Sequence, residues 1–301
     1  MVLLVTLIRD LLATGPTWSL EFFPPRSDEA EERFRRTLDE LAPLGPSFAS
    51  VTYGALGSTQ EKTRELVVGM NAAHPFPTMA HLTCVGHTRA GIRALLDQYA
   101  ASGVENILAL GGDPPADGSD PGGDFAHAIE LVELVRQHPA RFCVGVAAHP
   151  ELHPRSDDRR NDRRHLAAKL ELADFAITQF FFRVEEYARM LDELGALGCT
   201  RPVVAGVMPF VSAEGLRRMA QMNRTSIPPD LDARLRAAGE DAASVIALGV
   251  ETAVALCEDL VAAGAPGLHL YTLNRSESVL RMAGVLGLTE APQRPAALPS
   301  D

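Results

Sequence analysis

Short apolar runs rich in β-branched and aromatic residues alternate with longer stretches whose apolar residues fall three and four apart. The strand-like runs are Trp18 to Phe23, Phe48 to Tyr53, Thr78 to Val85, Asn106 to Leu110, Phe142 to Ala148, Phe175 to Phe181, Pro202 to Met208 and Gly267 to Tyr271. Helical periodicity marks Asp28 to Leu44, Thr88 to Ser102 and Asp162 to Leu172. Eight strands alternating with helices over roughly 250 residues predict an α/β fold of the (βα)8 type, ahead of a doubly wound sheet with similar alternation. The stretch Asn223 to Asp241, with Pro228 and Pro229, is long for a loop and predicts an extra helix near the seventh strand. The expected plan is a short helix within 1–16, one barrel over 17–288 and a frayed tail over 289–301.

Composition narrows the partners. The chain has 301 residues, 46% of them hydrophobic, enough for one large core. Lys and Arg number 28 against 39 Asp and Glu, a net charge of -11, which disfavours nucleic acid or an anionic membrane and leaves small molecules. Cys84, Cys143, Cys199 and Cys257 are dispersed without a CxxC pair, so neither zinc nor a disulfide framework is expected and a reduced cytoplasm fits. The opening MVLLVTLI is short and lacks a basic leader, so it is expected to pack as a helix rather than to serve as a signal or span. Apolar outer helices such as Ala247 to Ala263 suggest a homo-oligomer.

In a barrel, strand C-termini gather at one mouth, so the residues found there carry the candidate chemistry. The first strand delivers Glu21 within SLEFFPP; apolar walls favour the protonated form of an acid, and the flanking Phe22 and Phe23 are expected to keep it dry. Thr52 ends the second strand, where its hydroxyl is expected to reach Glu21. His81 alternates with apolar residues on the third strand and reads most simply as a core histidine. The fourth strand ends in Gly111, Gly112 and Asp113, glycines that admit a flat ligand followed by a carboxylate. His149 and His153 lie four apart, yet each precedes proline, which disfavours the helix that would align them on a metal. The basic run Arg155 to Arg164 offers cations to phosphates, with a solvated helix face as the plainer reading. Gln179 places an amide among aromatics, suited to a heterocycle edge, and Arg275 follows the eighth strand.

Taken together, SLEFFPP, FASVTYGA, AHLTC, LALGGDPP, HPELHP, AITQFFF and LYTLNRSE resemble the 5,10-methylenetetrahydrofolate reductase family, in its order and spacing. The resemblance implies a (βα)8 barrel that binds FAD, takes electrons from NADH or NADPH and makes 5-methyltetrahydrofolate, which feeds methionine synthesis. It implies that Glu21 is the general acid, Thr52 its support, and Asp113 a charge facing flavin and pterin. Gln179 and Arg275 would contact the folate. Tyr53, Ala55, His81, Gly111, Gly112, Phe125, Ala126, His149, His153, Asp162, His165 and Lys169 fall on cofactor-binding positions.

The chain departs from the family pattern where Gly111 replaces a usual arginine, His149 a common tyrosine, and Ala213 an aromatic whose packing Phe210 is placed to take over. The first departure removes a phosphate or flavin contact, for which Arg159, Arg160, Arg163 or Arg164 would compensate. Two rivals follow: a flavin-free reductase of the same substrate, and a folate- or flavin-binding barrel without turnover. A Schiff-base aldolase is disfavoured because no strand end offers a suitable lysine.

Overall fold

The structure, a computed structural model, describes residues 7–53, 58–113 and 122–288. After a short helix, α1 (Ile8–Thr14), come β1 (Thr17–Phe22), α2 (Asp28–Leu41), β2 (Phe48–Val51), α3 (Ser58–Ala73) and β3 (Thr78–Thr83). They are followed by α4 (Arg89–Ala101), β4 (Asn106–Leu110), α5 (Ala128–Arg136), β5 (Cys143–Ala148), α6 (Arg159–Leu172) and β6 (Phe175–Thr178). The chain continues through α7 (Val184–Ala196), β7 (Val203–Val207), α8 (Ala213–Asn223), α9 (Pro229–Ala238), α10 (Ala242–Ala262), β8 (Gly267–Tyr271) and α11 (Ser276–Leu286). All eight strands pair in parallel, and β8 returns to β1, closing the barrel and excluding the doubly wound alternative.

The element boundaries follow local chemistry. Asp158 accepts from the Arg160 N–H and starts α6 before the apolar periodicity does, while Thr88 caps α4 by accepting from Gly91. Pro228 and Pro229 open α9, the extra helix after β7, because proline fits the first helical turn. Strands β2, β3 and β6 end before their apolar runs do.

Strand alternation sorts the core into two shells. Trp18, Leu20 and Phe22 face outward to the helices, where Phe22 meets the Phe34 ring edge-on at 5.6 Å. Phe48, Met79, Leu108, Cys143, Phe175, Ile177 and Val204 fill the barrel's lower interior, and Ile8 of α1 seals its floor. The Ile8 N–H donates to Asn106 Oδ1 at 2.9 Å, so α1 is a plug rather than an appendage. Gly145 has no side chain because a Cβ there would lie 2.7 Å from the Phe175 ring. Among the described residues no helix is long and apolar enough to cross a membrane. The expected tail over 289–301 lies outside them.

Candidate active site

Above the apolar floor, the same inward-facing rows turn polar. Ser19 and Glu21 of β1, Ser50 of β2, His81 of β3 and His269 of β8 meet inside the barrel. Glu21 is 6% exposed, His81 4% and His269 0%. His269 Nε2 lies 3.3 Å from Glu21 Oε2 and 3.2 Å from Ser50 Oγ. Ser19 Oγ donates to the Leu268 carbonyl at 3.2 Å and lies 2.7 Å from His269 Nδ1. Ser19 thus engages one edge of the imidazole at Nδ1 and turns the other edge, Nε2, toward Glu21.

On the other side, His81 Nε2 stands 3.5 Å from the same carboxyl oxygen and has no hydrogen-bond partner among the described residues. Burial, opposed by the Glu21 charge, pushes its pKa down to about 4, so the ring is neutral near pH 7. Tyr271 roofs the pocket: its hydroxyl donates to the Thr178 carbonyl at 2.7 Å, and burial, then the Glu21 charge, holds its pKa well above the ordinary value. Gly206 makes room for this contact, since a Cβ there would meet the Tyr271 hydroxyl at 2.7 Å. The loop after β8 locks the end of β1. Thr272 Oγ1 donates to the Glu21 carbonyl at 2.7 Å, and Asn274 exchanges two hydrogen bonds with the Phe23 backbone. Leu273 and Asn274 both adopt left-handed backbone, at φ 51° and 52°, a conformation that costs about 1 kcal/mol or more for leucine. This loop presents Arg275, exposed, at the mouth.

Two expectations about this pocket need correction. Phe22 does not shield Glu21, because successive strand residues face opposite ways; the apolar wall comes from Phe48, stacked on His269 with 5.7 Å between centroids. The half-buried Thr52 donates its backbone N–H to the Phe22 carbonyl, and among the described residues its hydroxyl makes no hydrogen bond to Glu21. The groups that reach the acid are His269, which motif reading passed over, and His81.

Beside the pocket, between β4, β5 and α6, lies a cleft of about 760 Å³, within the usual range for cofactor sites. It is lined by Gly111, Gly112, Phe125, Ala126, His149, His153, Asp162, His165 and Lys169, together with Cys84 and Arg155. Gly112 has φ 82°, and a Cβ there would lie 2.4 Å from Val85 Cγ1, so only glycine lets the chain turn here. His149 and His153 pack edge to face at 4.6 Å. Burial, then the neighbouring cations and His153, pushes the His149 pKa down to about 3. Lys169 donates to the Ala147 carbonyl at 3.1 Å, and burial lowers its pKa to about 8 against the pull of Asp162. A shielded ammonium whose hydrogen bond goes to a carbonyl suits an anionic ligand.

Other expected site residues lie apart from this cleft. Tyr53 Oη contacts His87 Nε2 at 3.1 Å, and burial raises its pKa to about 12. Asp113 is exposed at the cleft's edge, and Ala55 lies outside the described residues. The Gln179 amide is engaged internally: Nε2 donates to Asn223 Oδ1 at 3.1 Å and Oε1 accepts from the Phe180 N–H at 2.9 Å. Two of the expected compensating arginines are committed elsewhere. Arg163, 2% exposed, binds Asp162 and Glu193 and donates to the His149, Pro150 and Glu151 carbonyls, while Arg159 binds Glu186 and Glu193. Phe210 is buried with Met208 and Leu216, and Ala213 packs on the same cluster.

A barrel with a buried acid in its interior and a cleft of cofactor size beside it defines a ligand-binding barrel of the enzyme type. More particularly, the chain belongs to the methylenetetrahydrofolate reductase family, whose model matches residues 7–287. It is 33% identical over 271 residues to the 5,10-methylenetetrahydrofolate reductase of Salmonella typhimurium, covering 90% of each chain. It is also 33% identical over 308 residues to the methylenetetrahydrofolate reductase (NADH) 1 of Arabidopsis thaliana, covering 97% of this chain and 52% of the relative, so it spans about half the plant protein's length. A Clostridium thermocellum protein described as binding two copies of 5-methyl-5,6,7,8-tetrahydrofolic acid shares the fold, with a TM-score of 0.67, 14% identity and coverage of 93% of this chain and 99% of that one.

Proposed function

We propose that this chain reduces 5,10-methylenetetrahydrofolate to 5-methyltetrahydrofolate with electrons from NADH or NADPH, using FAD held in the cleft between β4, β5 and α6. The observation that carries this reading is Glu21, buried between two imidazoles and adjoining a cleft of cofactor size. Family membership supports the substrate, and the names of the plant relatives favour NADH.

FAD fits the residues present: Gly111 and Gly112 allow close approach of a flat ring, Phe125 adds an apolar wall, and Lys169 and His153 offer donors to phosphates. When bound, FAD supplies hydride transfer from the nicotinamide to the folate's methylene carbon. The protein's part begins with the proton. Glu21 donates it to the folate, the five-membered ring opens to an iminium, and hydride addition there leaves a methyl group. His269, fixed by Ser19, orients the acid and excludes rotamers that would turn it from the mouth. Asp113 at the rim stabilises the cationic iminium, and Arg275 faces the folate's carboxylates. Gln179 reads the pterin edge once it leaves Asn223.

Two measurements test this. The isolated protein should absorb in the visible, bleach with NADH or NADPH and recover with methylenetetrahydrofolate; activity that survives exhaustive flavin removal would replace FAD with direct transfer from the nicotinamide. Glu21→Gln should slow folate reduction by about 10²- to 10⁴-fold while leaving flavin reduction by the nicotinamide nearly unchanged. Equal loss in both half-reactions would remove Glu21 from the acid's role.

A further inference from the structure

Among the described residues, one arginine of the cleft makes only a single long side-chain hydrogen bond. Arg155, on the loop between β5 and α6, donates its backbone N–H to His153 Nδ1 at 3.1 Å, and its guanidinium Nη2 reaches the Gly112 carbonyl at a long 3.4 Å. Among the described residues it forms no ion pair, whereas Arg159 and Arg163 of the same basic run end on carboxylates. Arg155 is exposed at a concave site whose acids are engaged by other groups, Asp157 by Arg224, Asp158 by the N-terminus of α6 and Asp162 by Arg163, so its guanidinium is free to meet an anion.

The opposite wall is shaped to admit it. A Cβ at Gly111 would lie 3.4 Å from Arg155 Nη2, so a side chain longer than alanine's would take the place the guanidinium occupies. Gly112 needs glycine for its backbone, but Gly111 is not among the residues of positive φ. Its missing side chain therefore serves space rather than conformation. After burial, the Arg155 charge contributes to lowering the proton affinity of His149 and His153, which share the cleft with it.

We propose that Arg155, admitted by the absence of a side chain at Gly111, binds the pyrophosphate of a dinucleotide in this cleft. The inference rests on reading the cleft as a cofactor site, and its chemistry is shared by FAD and by a nicotinamide dinucleotide. Arginine suits the task because its planar fork bonds two phosphate oxygens at once.

The test compares the full chain with Arg155→Ala, Arg155→Lys and Gly111→Leu, using equilibrium binding of FAD, ADP, NADH and riboflavin at low and high salt. Arg155→Ala should weaken FAD and ADP by roughly tenfold to a hundredfold, with a shallower salt dependence and riboflavin unaffected, while Gly111→Leu should weaken ADP to a similar degree. Arg155→Lys should recover part of the loss. Unchanged FAD and ADP affinity in Arg155→Ala overturns the assignment, as does an equal loss for riboflavin, which carries no phosphate. If the wild type binds NADH but no FAD and Arg155→Ala weakens NADH, Arg155 keeps its role and the flavin reading falls. If the wild type binds no dinucleotide at all, both fall. Matching unfolding midpoints for Arg155→Ala and the wild type confirm that binding, not folding, is being read.

Discussion

The acid pocket and the neighbouring cleft are built on different principles although they share one barrel mouth. Around Glu21, order comes from short-range bonds in a dry interior: Ser19 fixes His269, His269 faces the carboxyl, and Phe48 backs the ring. In the cleft, order comes from charge over an open surface, with Lys169 and Arg155 each donating to a backbone carbonyl and forming no ion pair among the described residues. A pocket of the first kind arrives already organised and positions one proton. A cleft of the second kind leaves its cations for the ligand to neutralise. Perturbing each region should therefore affect one half of the reaction and spare the other.

The largest stability effect separates the two by support. Arg163 ties α6 to the loop after β5 through three backbone carbonyls and binds two acids while almost wholly buried. Arg163→Met should cost about 3–5 kcal/mol by leaving carbonyls and Glu193 without their cation, read as a lower urea midpoint. Ligand affinity in the cleft should fall with it. A variant as stable as the wild type would show that the loop is held by something else.

Next in size is His269→Asn, which keeps a polar side chain but withdraws the ring nitrogen from Glu21. Folate reduction should slow roughly 10²-fold, as expected when a reacting group is misplaced by about 1 Å. Reduction of bound flavin by the nicotinamide should be unchanged, because only the folate half-reaction draws on the acid's proton. A loss confined to stability, with folate reduction unchanged, would reduce His269 to packing.

These two residues also show what the sequence disclosed. The alternation of apolar runs gave the barrel, because period two and period three-to-four are direct signatures of strand and helix. His269 stood in the last of those runs, but between Leu268 and Leu270 it resembled one more core residue. The signal lay in phase: Ser19 and Glu21 alternate with Trp18, Leu20 and Phe22, and His269 holds the same inward position on the neighbouring strand. Arg163 was one of four arginines in RRNDRR, yet its spacing to Leu166 and Leu170 placed it on the buried helix face. No local pattern joins Arg155 to Gly111, or Gln179 to Asn223, since those contacts depend on how distant loops meet.

The cleft's reliance on charge gives it a pH signature. Burial moves the Lys169 pKa from the ordinary 10.5 to about 8, so between those values the unfolded chain holds the proton and the ligand-free folded protein releases it. Its contribution to stability therefore rises with pH across that window and is lost as pH falls through about 8. A bound phosphate reverses the preference by favouring the ammonium. Affinity for FAD should therefore decline, by up to about tenfold per pH unit above 8, with proton uptake on binding in a calorimeter. Lys169→Met should flatten that dependence, and a flat wild-type profile from pH 7 to 9 would remove Lys169 from the phosphate site.

The smallest effect tests the boundary between the regions. In the ligand-free protein the Gln179 amide is engaged by Asn223 and by the Phe180 N–H, so a folate must displace one hydrogen bond before the amide can read its pterin. Asn223→Ala removes that competitor from the far end of α8 without touching Glu21 or the cleft. A hydrogen bond of about 1 kcal/mol corresponds to roughly fivefold in affinity, so KM for the folate should fall by up to that factor, with kcat and FAD affinity unchanged. A higher KM would instead mean that Asn223 holds Gln179 in its productive orientation, and would make α8 part of the substrate site rather than a competitor for it.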